Sequence, residues 1–186
     1  MKKIIIIAIT LFIALESDAQ FKIGVKGGWT FENFNISGSV GKQLKKGNSV
    51  SWDLGIVTQA NLAGGLYLQP ELLYTSQKIK IKDSSSAKKP KLTYLQVPVN
   101  LLYKIKLEAI SPFIEAGPYI GYAISRNDIS KKEIKKTDWG VGVGAGIELL
   151  GFQVSAKYNW GLRDISKIRD IKWKNNKFNV SVALFI

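Results

Sequence analysis

Nine charged side chains stand at alternate positions inside otherwise apolar segments: Lys22, Lys26, Asp53, Glu71, Lys104, Glu115, Asp138, Glu148 and Lys157. Such groups could do three kinds of work. Two carboxylates sharing a site, such as Glu71 and Glu115, could act as general acid and base. Lysines interleaved with carboxylates could line a transport path. The same groups could instead neutralise one another as a buried ion-pair and hydrogen-bond network. Four bases against five acids nearly balance, which favours the network. The 186-residue chain has no cysteine and no histidine. That excludes a disulfide framework, a thiolate nucleophile and a zinc finger, and it removes the usual general base and zinc ligand. No catalytic, cofactor-binding or metal-ligating residue is assigned, and no cofactor is expected. Gly142, Gly144 and Gly146 do not form a phosphate loop, because they lack Gly-x-Gly-x-x-Gly spacing and lead into a strand end.

The elements that position these charges alternate with period two. Trp139, Val141, Val143, Ala145, Ile147 and Leu149 lie on one parity, with Asp138, four glycines and Glu148 on the other. This is an extended strand with one apolar face. The pattern recurs over 21–31, 50–61, 66–77, 93–106, 112–125, 152–162 and 176–186. In the last of these, Lys177, Asn179 and Ser181 oppose Phe178, Val180 and Val182. Eight strands result. Residues 62–65, 107–111 and 150–151 read as tight turns. Residues 32–49, 78–92, 126–137 and 163–175 read as long, polar loops.

An even number of strands, short turns on one rim and long loops on the other describe an all-β, eight-stranded antiparallel up-and-down transmembrane β-barrel. The apolar parity carries Trp29, Trp52, Tyr74, Tyr122, Trp139, Trp160 and Phe178 near the long-loop ends, and Phe21, Tyr103 and Phe152 near the short turns. These form the expected aromatic girdles of a lipid-facing surface. The charged parity then faces a lumen which, at eight strands, is filled by side chains. Pro70, Pro98 and Pro118 fall inside strands, and a local bulge is expected at each.

Residues 1–19 read as a cleaved signal peptide: a basic Met1-Lys2-Lys3, a twelve-residue apolar run from Ile4 to Leu15, and small residues before a cut at Gln20. Twelve helical residues span about 18 Å, short of a hydrocarbon core. Residues 20–186 form the barrel.

Several segments resemble one known family in order: Phe21-Lys-Ile-Gly-Val-Lys-Gly-Gly, Leu68-Gln-Pro-Glu-Leu-Leu-Tyr74, Tyr94-Leu-Gln-Val-Pro-Val-Asn-Leu-Leu-Tyr103, Glu115-Ala-Gly-Pro-Tyr-Ile-Gly121 and Tyr158-Asn-Trp-Gly-Leu162. The chain resembles small outer-membrane β-barrel domain proteins of the porin-family or PorT-like kind. The resemblance implies an eight-stranded barrel in the outer membrane, assembly-machinery partners and, for PorT-like members, secretion-system proteins. It carries over no catalytic residue. Barrels of this kind commonly end in an aromatic residue, whereas here Phe185 is penultimate and on the inward parity.

The chain carries net charge +13, and loss of residues 1–19 removes two bases and two acids, leaving it unchanged. The nine lumen charges sum to −1, so the excess lies mainly in the long loops. Lys88 and Lys89 mark one loop; Lys131, Lys132, Lys135 and Lys136 mark the next; Arg163, Lys167, Arg169 and Lys172 mark the last. The expected partners are outer-membrane lipid, with anionic headgroups attracting these loops. No nucleic-acid partner is expected. The expected function is a non-enzymatic outer-membrane barrel, filled by its own side chains, acting in envelope structure or surface interaction. The expected orientation puts the N-terminus and short turns in the periplasm and the long loops outside. A secretion accessory, a narrow pore, a lipocalin-like carrier and a Glu71/Glu115 enzyme are the alternatives.

Overall fold

The computed structural model describes residues 21–38, 43–79, 91–127, 137–162 and 171–186. They form eight strands: β1 (Phe21–Gly38), β2 (Gln43–Ala63), β3 (Leu66–Ile79), β4 (Lys91–Lys104), β5 (Ile110–Asn127), β6 (Thr137–Leu149), β7 (Phe152–Gly161) and β8 (Ile171–Phe185). Each strand pairs antiparallel with its sequence neighbours, and β8 closes on β1, from Gly24 opposite Phe185 to Gly38 opposite Ile171. Closure removes the unpaired edges that an open sheet would expose.

The usual arrangement of polarity is inverted. Among the described residues, buried polar and charged side chains outnumber buried apolar ones by about two to one, while most large apolar side chains stay exposed on the outer wall. A carrier for apolar ligands needs the opposite arrangement. Along β7 buried and exposed positions alternate without a break, as a two-residue repeat on a curved sheet requires.

Three expectations about element limits change. The segment read as a loop over 32–49 continues the ladder, from Glu32 opposite Ser49 to Ser37 opposite Gln43. Likewise β8 starts at Ile171, five residues before its alternation does. Backbone pairing needs no apolar face, so strands outrun the pattern that reveals them. The bulges expected at the prolines are also absent. Pairing opens beside two of them, passing from Val57–Glu71 to Ala60–Leu68 around Pro70 and from Pro98–Tyr119 to Leu101–Ala116 beyond Pro98, yet the register does not slip. It also runs unbroken through Pro118 opposite Val141. A proline forfeits a donor without adding a residue, so the ladder resumes in phase. The Thr58 hydroxyl donates to the Pro70 carbonyl at 3.2 Å. Register shifts occur instead at Ile36/Ser37, Asn61/Ala63 and Thr93/Tyr94.

Two short turns are tight and left-handed. Gly64 and Gly65 have φ of 51° and 91°; Leu150 and Gly151 have 47° and 85°. Consecutive positive φ values suit the right-handed twist of the flanking strands. Leucine is an unusual choice there, since a Cβ disfavours this region.

Candidate functional site

The lumen is built from inward positions of all eight strands, and its polar groups join in layers. At the short-turn rim, Lys104 of β4 is the centre. Its ammonium donates to Glu148 of β6 and, at 2.7 Å, to Gln59 Oε1 of β2. It also sits 4.6 Å from the Tyr67 ring centroid, a cation–π distance. Lys22 reaches the other oxygen of Glu148 at 3.1 Å, with its side chain 43% exposed. Two lysines thus clamp one carboxylate. Tyr67, Leu102 and Phe113 pack beside them, and Val57, Ala183 and Phe185 form a second apolar cluster.

The next layer crosses the full width of the barrel. Gln59 donates to Gln69 at 2.9 Å, and Gln69 and Gln153 exchange amide hydrogen bonds at 3.3 and 3.2 Å. Glu71 Oε1 accepts from Gln69 at 2.9 Å, from Asn100 at 3.0 Å and from Lys26 at 2.8 Å. Lys157 donates to Asn100 in turn. The Lys26–Glu71 pair is almost fully buried, at 4% and 2% side-chain exposure. Such a pair holds its desolvated charges only because further hydrogen bonds satisfy them. Glu115, the other carboxylate of the candidate dyad, acts electrostatically on both Lys26 and Lys157. Both of its oxygens lack a hydrogen-bond partner among the described residues.

Toward the long connections, Asp53 Oδ2 accepts from Thr30 at 3.2 Å and from Asn179 at 3.0 Å. Lys177 donates to Asp138 at 2.7 Å and lies 5.3 Å from the Tyr119 ring and 6.0 Å from that of Tyr94. Between this pair and Lys26–Glu71 the side chains leave a cavity of about 30 Å³, room for about two waters.

The inward glycines of β6 explain how bulky groups fit. A Cβ at Gly144 would lie 3.0 Å from Glu115 Oε1, and one at Gly142 would lie 2.7 Å from Lys157 Cε. The glycine-rich strand is therefore a floor over which the side chains of β5 and β7 lie.

Eight of the nine charges named from sequence are buried, and Lys22 stands half-exposed at the rim. They do not form one cluster: Lys22, Lys104 and Glu148 gather at one end, while Lys26, Glu71, Glu115 and Lys157 meet in the middle. Among the described residues two further charges face the lumen, Glu32 and Lys177. Lys177 shares the polar parity of β8, so alternation alone could have included it. Glu32 follows Thr30 by two but falls in 32–49, which by sequence reads as a loop. With them the set among the described residues is five bases and six acids, still −1.

Outside, Trp29, Trp52, Tyr74, Tyr122, Trp139, Trp160 and Phe178 are all exposed. The Trp52 and Tyr74 rings are 5.8 Å apart, and Trp160 meets Tyr158 edge-on at 4.9 Å. From Phe21 to Phe31 on β1 is ten residues, about 33 Å of strand. A tilt of about 40° reduces this to ~25 Å, the height of a lipid-facing band. Of the basic loop residues, Lys88, Lys89, Lys131, Lys132, Lys135, Lys136, Arg163, Lys167 and Arg169 lie outside the described residues, as do residues 1–19 and the Lys172 side chain. Among the described residues no group of three or more carboxylates is arranged to hold a metal ion.

The barrel is similar to several solved structures. One is Neisserial surface protein A, at 17% identity and TM-score 0.46, covering 86% of this chain and 96% of that one. Another is Ail, the attachment invasion locus protein of Yersinia pestis, in complex with the heparin analogue sucrose octasulfate, at 16% and 0.49, covering 89% and 99%. A third is the outer membrane enzyme PagL, at 13% and 0.49, covering 83% and 98%. No curated protein matches the chain. The model of the outer membrane protein beta-barrel domain family matches residues 16–167. With that match over most of its length, and a closed eight-stranded barrel that is polar within and carries exposed aromatic side chains on its outer wall, the chain belongs to the outer membrane protein beta-barrel domain family.

Proposed function

We propose that this outer-membrane barrel is non-enzymatic, and that it acts in envelope structure or surface interaction through its basic loops. The N-terminus, freed by cleavage before Gln20, and the short turns face the periplasm; the long connections face outward. The observation that carries the reading is the filled lumen. The Gln59–Gln69–Gln153 layer and the Lys26–Glu71–Asn100 layer cross it, and Lys26, Glu71, Asn100 and Lys157 are committed to one another. Glu71 already accepts three hydrogen bonds, and both it and Glu115 are at most 4% exposed, which supports a structural over a catalytic role for the pair. Outer-membrane lipid is the first partner, with anionic headgroups drawn to the loops on the order of 1 kcal/mol per near-surface Lys or Arg.

Purified barrel reconstituted in planar bilayers is the test. No steady conductance above leak is expected, and stable open currents would overturn the filled-lumen reading. A deletion strain then separates roles. Altered envelope permeability with secreted cargo intact supports an envelope role. Loss of cargo alone identifies a PorT-like secretion accessory.

A further inference from the structure

The apolar outer wall does not stop at the aromatic row of its short-turn end. On β4 the outward Leu101 and Tyr103 are followed by Ile105 and Leu107, which are 55% and 59% exposed. Alternation persists there because the hairpin keeps its backbone pairing. Ile105 donates to the Pro112 carbonyl at 2.9 Å, and Leu107 to that of Ile110 at 3.1 Å. Lys106, between them, turns toward the mouth of the barrel, with its ammonium 5.8 Å from the Tyr67 ring centroid. The other two short turns repeat the choice. Leu62 is exposed two residues past Ala60, the partner of Phe21. Leu150 is exposed at the tip of the β6–β7 turn. Each short turn thus presents a leucine, where Gly, Asn, Asp and Ser are the usual residues.

Height and continuity decide the occupant. Leu107 lies four residues past Tyr103, about 13 Å of strand. A tilt of about 40° makes this ~10 Å along the barrel axis. Amphipathic elements sink about 5–10 Å into the boundary between headgroups and acyl chains, so lipid in that boundary reaches the leucine. A protein-docking patch is instead bounded by a polar rim. No polar side chain separates Ile105 and Leu107 from the wall above them, since the outward series runs Leu101, Tyr103, Ile105, Leu107. The turn tips extend the surface that lipid already covers.

We infer that the short-turn rim is seated in the headgroup layer of a phospholipid leaflet, with Leu62, Ile105, Leu107 and Leu150 as anchors that fix how deep the barrel sits. This rests on the outer wall facing lipid. It adds a second lipid contact, at the end away from the long connections and made by apolar side chains. At Leu150 the strain of a φ of 47° and the lipid contact oppose each other, so Leu62 and Leu107, both outside the positive-φ region, carry the test.

The chain has no cysteine, so one introduced cysteine takes a fluorophore at a chosen site. Leu62→Cys, Leu107→Cys, Lys106→Cys and Val143→Cys are labelled with nitrobenzoxadiazole in the full folded barrel, in phosphatidylcholine vesicles. Quenching is read with iodide on both sides of the bilayer, and with lipids carrying a nitroxide high or low on the acyl chain. The Leu62 and Leu107 labels should emit to the blue of the Lys106 label, resist iodide and be quenched most by the high nitroxide. The Val143 label, midway along β6, should be quenched most by the low one. Heat-modifiable gel mobility checks that each variant is folded, and Ile105→Cys replaces a rim variant that is not. Iodide reaching Leu62 and Leu107 as readily as Lys106, with Val143 still in lipid, overturns the inference and leaves the lipid-facing wall standing. Iodide reaching Val143 as well overturns both. Rim labels open to iodide in vesicles but shielded in isolated outer membranes overturn it in favour of a protein partner.

Discussion

Replacing Glu71 by Gln keeps the shape of the side chain and removes its charge. In the wild type, one oxygen accepts three hydrogen bonds, from Lys26, Gln69 and Asn100 at 2.8–3.0 Å. A hydrogen bond to a charged group contributes about 1.5–3 kcal/mol and a neutral one about 0.5–1.5. Losing about 1–1.5 kcal/mol on each of three bonds gives about 3–5 kcal/mol. The same range applies to breaking a buried ion pair, because the surviving Lys26 charge is left uncompensated. Lys26→Met should cost a similar amount by stranding Glu71. The Lys26→Met/Glu71→Gln double variant leaves no isolated charge in the pair. Its cost should fall below the sum of the singles by about 2–3 kcal/mol, at the upper end of direct couplings. Urea titration of the folded barrel, followed by tryptophan fluorescence and by heat-modifiable gel mobility, measures all three. Single variants within 1 kcal/mol of wild type, or strictly additive costs, would refute the claim that this pair organises the lumen.

Other consequences follow from the two faces and the turns. Gly144→Val meets Glu115 Oε1 and the Ala156 carbonyl and should cost more than 2 kcal/mol, whereas the outward Ala145→Val should be nearly neutral in the same titration. Val143→Arg, on the exposed wall midway along β6, should cost about 2–4 kcal/mol in a bilayer; a much smaller loss would place that wall away from lipid. Leu150→Asn relieves the φ of 47° and should raise the urea midpoint, by about 1 kcal/mol of stability; a loss would mean that lipid holds the 85%-exposed leucine. Mass spectrometry of the mature protein should give Gln20 as its first residue, and an intact Met1 would refute the cleaved leader.

Strand number and face were legible because alternation is a local property. A residue's parity decides whether it points inward, and that survives the prolines, since the register resumes in phase beyond Pro70 and Pro98 and runs unbroken through Pro118. Glu148 and Lys157 could therefore be placed inside without knowing their partners. Strand ends were less legible. The β1–β2 ladder continues to Ser37 and Gln43, beyond the apolar pattern, and Glu32 was lost with it.

The one-dimensional chain thus determined the barrel, its two faces and the near-balance of charge within, because each depends on period-two spacing and residue type. Which charge meets which was decided only by tertiary structure. Lys26 finds Glu71 from 45 positions away, Lys104 finds Glu148 from 44, and Lys22 finds the same carboxylate from 126. Partnership across a lumen depends on height along the barrel axis. That height is set by the tilt and stagger with which strands close, a property of the whole sheet that no single strand carries.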